Sequence, residues 1–231
     1  MTWFNVVGLI SSIALLLPII IILSLRLALY KSFPALLAYY VMVFSHSFLS
    51  LDFIRTSKAF VDWFGIFTNF LDAPLMLAFM TYFSRTALFR QRMKMVIPIL
   101  LLFEVIIIAI YGFSVKAAVI VLAPGLILVL GFALLFFIHQ AKITVMYQKA
   151  AGKAFIAASL LFAYGGYAFI YVVYYLLKTP YKSDTYIVYY LITIFSSMLL
   201  AAGIFMERKR VRELTEIKIA REELRMVYGR S

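Results

Sequence analysis

Seven apolar segments, each long enough to cross a bilayer as a helix, follow one another along this chain of 231 residues. A helix needs about 20 predominantly apolar residues to cross ~30 Å of hydrocarbon, and in lipid it must satisfy its own backbone hydrogen bonds. The segments are Trp3 to Leu27, Phe33 to Ile54, Val61 to Phe83, Met95 to Phe113, Ala117 to His139, Ala154 to Leu177 and Thr185 to Met206. The short connections predict an all-α bundle of sequentially antiparallel helices.

Composition agrees with a polytopic protein of the cell membrane. Hydrophobic residues make up 65% of the chain and charged residues 14%, against roughly 45–50% and 25% in soluble domains. We therefore expect a seven-helix transmembrane domain over residues 1–206 and a cytoplasmic tail over residues 207–231. The first helix follows a start without basic residues, and we expect it to be retained rather than cleaved. The chain has no cysteine, which excludes disulfides and thiolate chemistry.

Basic residues predict the orientation of the bundle. The first, third and fifth loops carry nine Lys and Arg residues, and the other three loops carry five. The tail adds eight more on the same side as the first set. Because basic loops stay on the cytoplasmic side, the N-terminus is predicted outside and the C-terminus inside. The net charge of +12 then indicates anionic lipid at the cytoplasmic face as a partner, and it requires no nucleic acid.

Single polar residues interrupt the apolar helices and mark a candidate ligand or proton site. Asp72 and Glu104 lie near the middle of the third and fourth segments, Asn69 shares a helical face with Asp72, His46 lies in the second segment and Ser197 in the seventh. A charge at the bilayer centre costs at least ~2.5 kcal/mol, so such residues usually face a cavity, a partner or a substrate. Alternatively, the two carboxyl groups only donate hydrogen bonds to neighbouring helices, and His46 makes its hydrogen bonds within the bundle and binds no ligand.

The sixth segment is rich in aromatic residues around Gly165 and Gly166. Its aromatic side chains are Phe162, Tyr164, Tyr167, Phe169, Tyr171, Tyr174 and Tyr175. Two explanations remain open. The glycines permit close helix contact while the tyrosines hydrogen-bond to Ser and Thr across it, or the tyrosines line a pocket, in which case Tyr164 and Tyr167 are the central candidates.

Several chemistries are unsupported by the sequence, and we expect neither a cofactor nor enzymatic activity. A retinal Schiff base requires a lysine deep in the seventh segment, which has none. Haem ligation by two histidines is disfavoured because His46 and His139 lie at different depths. Zinc-protease, serine-hydrolase and Gly-Asp aspartyl-protease motifs do not occur.

The tail is predicted to form an amphipathic helix. Its apolar residues Val211, Leu214, Ile217, Leu224 and Tyr228 recur at spacings close to three and four, interrupted by Arg221. We expect the helix to end at Gly229. Such a helix either lies on anionic lipid through its basic face, or serves as a docking or dimerisation helix for a cytoplasmic partner or a second copy.

The topology resembles that of heptahelical receptors and of the seven-helix input domains of bacterial sensor proteins. The resemblance covers the whole chain and implies only a fold. Our first hypothesis is a membrane sensor that binds a small or lipophilic ligand, or a proton, near Asp72 and signals through the tail to a separate partner. The alternatives are a small transporter or proton-coupled permease, and a structural or assembly subunit.

Overall fold

The computed structural model describes residues 3–51, 56–83, 87–147, 151–177 and 182–228; beyond Arg208 it describes the backbone alone. In this part of the chain the structure is helical. The helices are α1 (Trp3–Ser24), α2 (Phe33–Ser50), α3 (Lys58–Met80), α4 (Ala87–Tyr111), α5 (Val115–Tyr147), α6 (Ala151–Tyr171) and α7 (Lys182–Tyr228). A 3₁₀ turn (Thr81–Phe83) extends α3, and a π-helical turn (Val172–Leu176) extends α6. Seven helices are long and apolar enough to cross a membrane, which is compatible with a multi-pass membrane protein.

Six helices close into a ring. Each contacts the next in the order α1, α2, α3, α5, α6, α7, and α7 contacts α1. The remaining helix, α4, packs outside this ring against α3 and α5. All six helices bound the interior of the ring, and five of them, α2, α3, α5, α6 and α7, supply the walls of a pocket.

The two ends of the bundle differ. We call the end where α2 finishes and α3 begins the pocket end, and the opposite end, from which α7 continues to Tyr228, the tail end. Toward the tail end the core is closed beneath the pocket by a layer of large apolar side chains from α2 and α3, each with at most 1% exposure. These residues are Phe33, Leu36, Met76, Leu77, Phe79 and Met80.

Five prolines of the described residues lie in helices, one in a first turn and four in helix interiors. Pro34 lies in the first turn of α2, where no intrahelical donor is lost. Pro18, Pro74 and Pro124 lie inside α1, α3 and α5. Pro98 is also interior, because α4 begins at Ala87 and not near Met95. The predicted segment, which begins at Met95, would place Pro98 in its first turn, but the helix also includes the basic residues that precede the segment.

The longest element is α7, with 47 residues. At about 1.5 Å per residue it extends roughly 70 Å, more than twice the thickness of the hydrocarbon core. Its helix passes without a break through the predicted boundary at residue 206. The side chains that would form the amphipathic face of the tail, and the predicted stop at Gly229, lie outside the described residues.

Candidate ligand-binding pocket

A cavity of about 390 Å³ lies inside the ring at the pocket end. Each wall helix contributes one stripe of side chains. The stripes are Tyr39, Val43, His46, Ser47 and Ser50 of α2; Gly65, Thr68, Asn69 and Asp72 of α3; Leu122 and Leu126 of α5; Tyr167, Ile170 and Tyr171 of α6; and Thr185, Tyr186, Tyr189 and Tyr190 of α7. Leu51 and, from the π-helical turn, Tyr174 and Tyr175 complete the lining. The volume falls within the range of small-molecule sites.

Helical periodicity explains why these positions share one cavity. On α3 the lining residues Gly65, Thr68, Asn69 and Asp72 are spaced by three, one and three, which places them on one face of the helix. The cavity extends from Ser50, near the end of α2, down to Tyr39 and Asp72. Its deep end is therefore closed by the buried apolar layer, and its shallow end lies at the pocket end of the bundle.

Asp72 forms part of the floor of the pocket. Its Oδ1 accepts a hydrogen bond of 2.6 Å from the hydroxyl of Tyr164 on α6. The hydroxyl of Tyr39 on α2 also lies beside the carboxyl group. Three helices of the ring thus meet at one carboxyl group. Asp72 nevertheless retains accessible surface, so a molecule in the pocket can reach it.

Asn69 and His46 lie above Asp72 on the adjacent helices α3 and α2. Asn69 is exposed although it lies midway along α3, and its position in the lining means that its amide is presented to the cavity. The imidazole of His46 packs directly on Gly65: a Cβ at that glycine would lie 2.7 Å from Nε2. The absence of a side chain at Gly65 therefore makes room for the histidine ring.

Tyrosine is the dominant residue of the walls. Eight tyrosines line the cavity: Tyr39, Tyr167, Tyr171, Tyr174, Tyr175, Tyr186, Tyr189 and Tyr190. Several are in mutual contact. The rings of Tyr167 and Tyr189 stack across the α6–α7 interface with centroids 5.6 Å apart, and Tyr174 and Tyr175 meet edge to face at 4.8 Å.

Both sequence-based explanations of the sixth helix describe part of what the structure contains. A Cβ at Gly166 would lie 2.5 Å from Cδ1 of Ile192, so this glycine permits the close approach of α7. The hydroxyl of Tyr167 lies 3.4 Å from Oγ1 of Thr193 on α7. The same Tyr167 lines the cavity, so helix contact and pocket lining occur on adjacent faces of one helix.

The structure brings together only part of the predicted polar set. Asp72, Asn69, His46 and Tyr167 line the cavity, and Tyr164 lies immediately behind Asp72. Two predicted residues, Glu104 and Ser197, lie elsewhere.

Glu104 and Ser197 lie outside the lining. Glu104 is buried on α4, outside the ring, and its Oε1 has no hydrogen-bond partner within the described residues. Ser197 is buried on α7, about two turns below Tyr190, and the hydroxyl of Tyr40 on α2 lies beside it. Both residues were grouped with Asp72 by their depth along the helices. Glu104 is kept from the cavity because α4 packs outside the ring, and Ser197 because its position on α7 is not in the lining.

Sequence reasoning did not single out Tyr39, Tyr189 and Tyr190. A signal for them exists, because Tyr39 lies seven residues before His46 on α2, and Tyr186, Tyr189 and Tyr190 repeat at three and four on α7. That spacing places polar aromatic rings on one face of each helix.

Comparison of the chain with protein-family models, with curated proteins and with solved structures found no match.

Proposed function

We propose that this chain is a membrane sensor of the receptor type, which binds a small ligand in the tyrosine-lined pocket and transmits the binding event through α7 to a cytoplasmic partner. The observation that carries the proposal is the course of α7. Its first turns supply Thr185, Tyr186, Tyr189 and Tyr190 to the pocket, and the same helix continues without a break to Tyr228.

Transmission along α7 requires that the helix move as one body. Two contacts couple it to its neighbours near the tail end. Gly152 of α6 and Gly203 of α7 bring the two backbones so close that a Cβ on Gly152 would lie 2.7 Å from the amide nitrogen of Glu207. The hydroxyl of Tyr82 donates a buried hydrogen bond of 2.8 Å to Oε1 of Glu207. A shift of α7 at the pocket is thereby linked to the packing at the opposite end.

In this proposal the pocket end faces outward, and the tail end faces the cytoplasm. The distribution of Lys and Arg supports that orientation. A ligand then enters from outside, and α7 beyond Arg208 presents itself to a partner or to a second copy of the chain at the inner surface.

A transporter is the alternative proposal, and the shape of the pocket favours it less. Movement across the membrane requires a path beyond Asp72 toward the tail end. Leu36, Met76 and Leu77 occupy that region with at most 1% exposure. A transporter would have to open this layer during its cycle, whereas a receptor can bind its ligand without doing so.

The test begins with a search for ligands. Thermal unfolding of the purified chain in detergent is measured with a panel of small amines, alcohols, carboxylates and aromatic compounds. Compounds that raise the melting temperature are counted as hits. Hits are repeated on Asn69→Trp, which fills the pocket from an exposed position, and on Ile127→Trp, which adds the same side chain to the outer surface of α5. The proposal predicts that only Asn69→Trp loses the response.

Signalling is tested with the same hits. Because the chain has no cysteine, spin labels can be attached at Val145→Cys on α5 and at Arg221→Cys on α7 without removing native thiols. A sensor changes the distance distribution between the labels when the hit binds. Binding without any change, together with accumulation of the hit inside proteoliposomes, would replace the sensor by a transporter.

A further inference from the structure

The walls of the pocket have an unbalanced charge. Among the side chains that the structure describes, the lining contains the carboxyl group of Asp72 and the imidazole of His46, and neither Lys nor Arg. Asp72 has no counter-charge among these side chains, since the groups beside its carboxyl are the hydroxyls of Tyr164 and Tyr39. An anionic ligand would meet the carboxyl group without any compensating cation.

Asp72 also keeps acceptor capacity for a ligand. A carboxylate has about four lone-pair sites for hydrogen bonds. The hydroxyl of Tyr164 approaches Oδ1 from α6, outside the cavity lining. This hydrogen bond fixes the carboxyl group from behind, while its accessible surface faces the pocket.

The tyrosine rings provide a second feature that selects for positive charge. The face of an aromatic ring is electronegative and attracts ammonium groups within about 6 Å of its centroid, and cages of such rings bind quaternary ammonium ligands. Tyr167 and Tyr189 stack at 5.6 Å, and Tyr171 and Tyr175 lie 5.4 Å apart. These clustered rings stand above Asp72 on α6, its π-helical turn and α7.

We propose that the pocket binds a small organic cation, an aromatic or alkyl amine or a quaternary ammonium compound. Its charged nitrogen lies beside Asp72, and its hydrocarbon part lies between the tyrosine rings. Asn69 is placed to hydrogen-bond a polar substituent of the ligand. This inference names the ligand class of the proposed sensor and rests on that proposal only for the existence of a binding pocket.

The test compares three probes that share a benzyl group and differ in the charge of a tetrahedral head. They are benzyltrimethylammonium, which is cationic, neopentylbenzene, which is its neutral carbon isostere, and phenylmethanesulfonate, which is anionic. Binding to the full chain in detergent is measured by isothermal titration calorimetry. We expect benzyltrimethylammonium to bind at least about tenfold more tightly than the neutral isostere, and the sulfonate not to bind.

Matched variants locate the binding. Asp72→Asn should weaken benzyltrimethylammonium binding by about tenfold or more, while Glu104→Gln, which neutralises a carboxyl group outside the lining, should bind like wild type. Tyr189→Leu should lose affinity and Tyr189→Phe should retain it, because phenylalanine keeps the ring face. The Tyr189 pair decides the question even where Asp72→Asn does not fold.

The outcomes separate this inference from the proposed function. Equal binding of the cation and its neutral isostere, wild-type affinity in Asp72→Asn, or no binding of benzyltrimethylammonium at millimolar concentration would each overturn the cation class. A neutral hit from the ligand panel that loses its effect in Asn69→Trp would also overturn it, yet support the sensor. Cation binding that depends on Asp72 but leaves the spin labels unmoved would support the ligand class and count against signalling.

Discussion

The hydroxyl of Tyr164 on α6 donates a hydrogen bond of 2.6 Å to Oδ1 of Asp72 on α3. The two residues are 92 positions apart in sequence, and their contact lies at the floor of the tyrosine-lined cavity. From the sequence alone, Asp72 is either a residue that holds two helices together or one that contacts a ligand. Its position in the structure suits both roles. One side of the carboxyl group holds α6, and the other faces the pocket.

Replacing Tyr164 by phenylalanine removes this hydrogen bond while keeping the ring. We expect Tyr164→Phe to lower the free energy of unfolding by about 1–3 kcal/mol, because the carboxyl group then loses a buried partner. Thermal unfolding in detergent measures the change. Tyr171→Phe is the matched control, since its hydroxyl donates a longer bond of 3.2 Å to the carbonyl of Val119 and its loss should cost less. Identical melting of Tyr164→Phe and wild type would contradict the structural role.

A cysteine at Asn69 should react with a water-soluble methanethiosulfonate reagent. Asn69 is exposed and lines the cavity, so water and reagent can reach it. Ile127→Cys on α5 is the control, because Ile127 is 71% exposed but lies outside the lining, where we expect it to face lipid. Mass spectrometry counts the added groups. No labelling at Asn69→Cys would mean that the cavity is not open to water, and equal labelling of the two variants would mean that Ile127 does not face lipid.

The glycine contact between α6 and α7 predicts a strong effect of one added methyl group. In Gly152→Ala the new Cβ would lie 2.7 Å from the backbone nitrogen of Glu207 and 2.9 Å from the carbonyl oxygen of Gly203. Backbone atoms cannot rotate away, so the helices must separate, at a cost of about 1–3 kcal/mol. The lower melting temperature should be accompanied by a changed distance between the Val145→Cys and Arg221→Cys labels.

Gly131→Ala on α5 is the control for this substitution. A Cβ at Gly131 meets nothing within 4 Å, and alanine favours the helix over glycine by up to about 1 kcal/mol. This variant should melt at or above the temperature of wild type. A loss of stability as large as that of Gly152→Ala would show that the effect comes from the helix backbone and not from the α6–α7 contact.

The orientation of the bundle can be tested with two exposed positions. Lys58→Cys lies at the pocket end, and Met146→Cys lies at the tail end of α5. If basic loops face the cytoplasm, a membrane-impermeant maleimide added to intact cells should label Lys58→Cys, and should label Met146→Cys only after lysis. The reverse pattern would invert the topology and place the mouth of the pocket in the cytoplasm.

The sequence by itself determined the fold class. Apolar segments of sufficient length must become helices in lipid, because no other spanning structure satisfies the backbone locally. Each of the seven predicted segments contains a helix that is long and apolar enough to cross a membrane. Their ends were less predictable: α4 begins at Ala87 and α5 continues to Tyr147, since polar residues beyond the hydrocarbon can extend a helix that apolar length alone does not measure.

The composition of the pocket was decided only by the tertiary structure. Depth along a helix can be read from sequence, and on that basis Asp72 and Glu104 were both predicted near the middle of their segments. The direction in which each side chain points depends on the rotation of its helix and on its neighbours in the ring, which one sequence does not specify. Asp72 therefore faces the cavity with Tyr39 and Tyr189, while Glu104, at a comparable depth, lies on the one helix outside the ring.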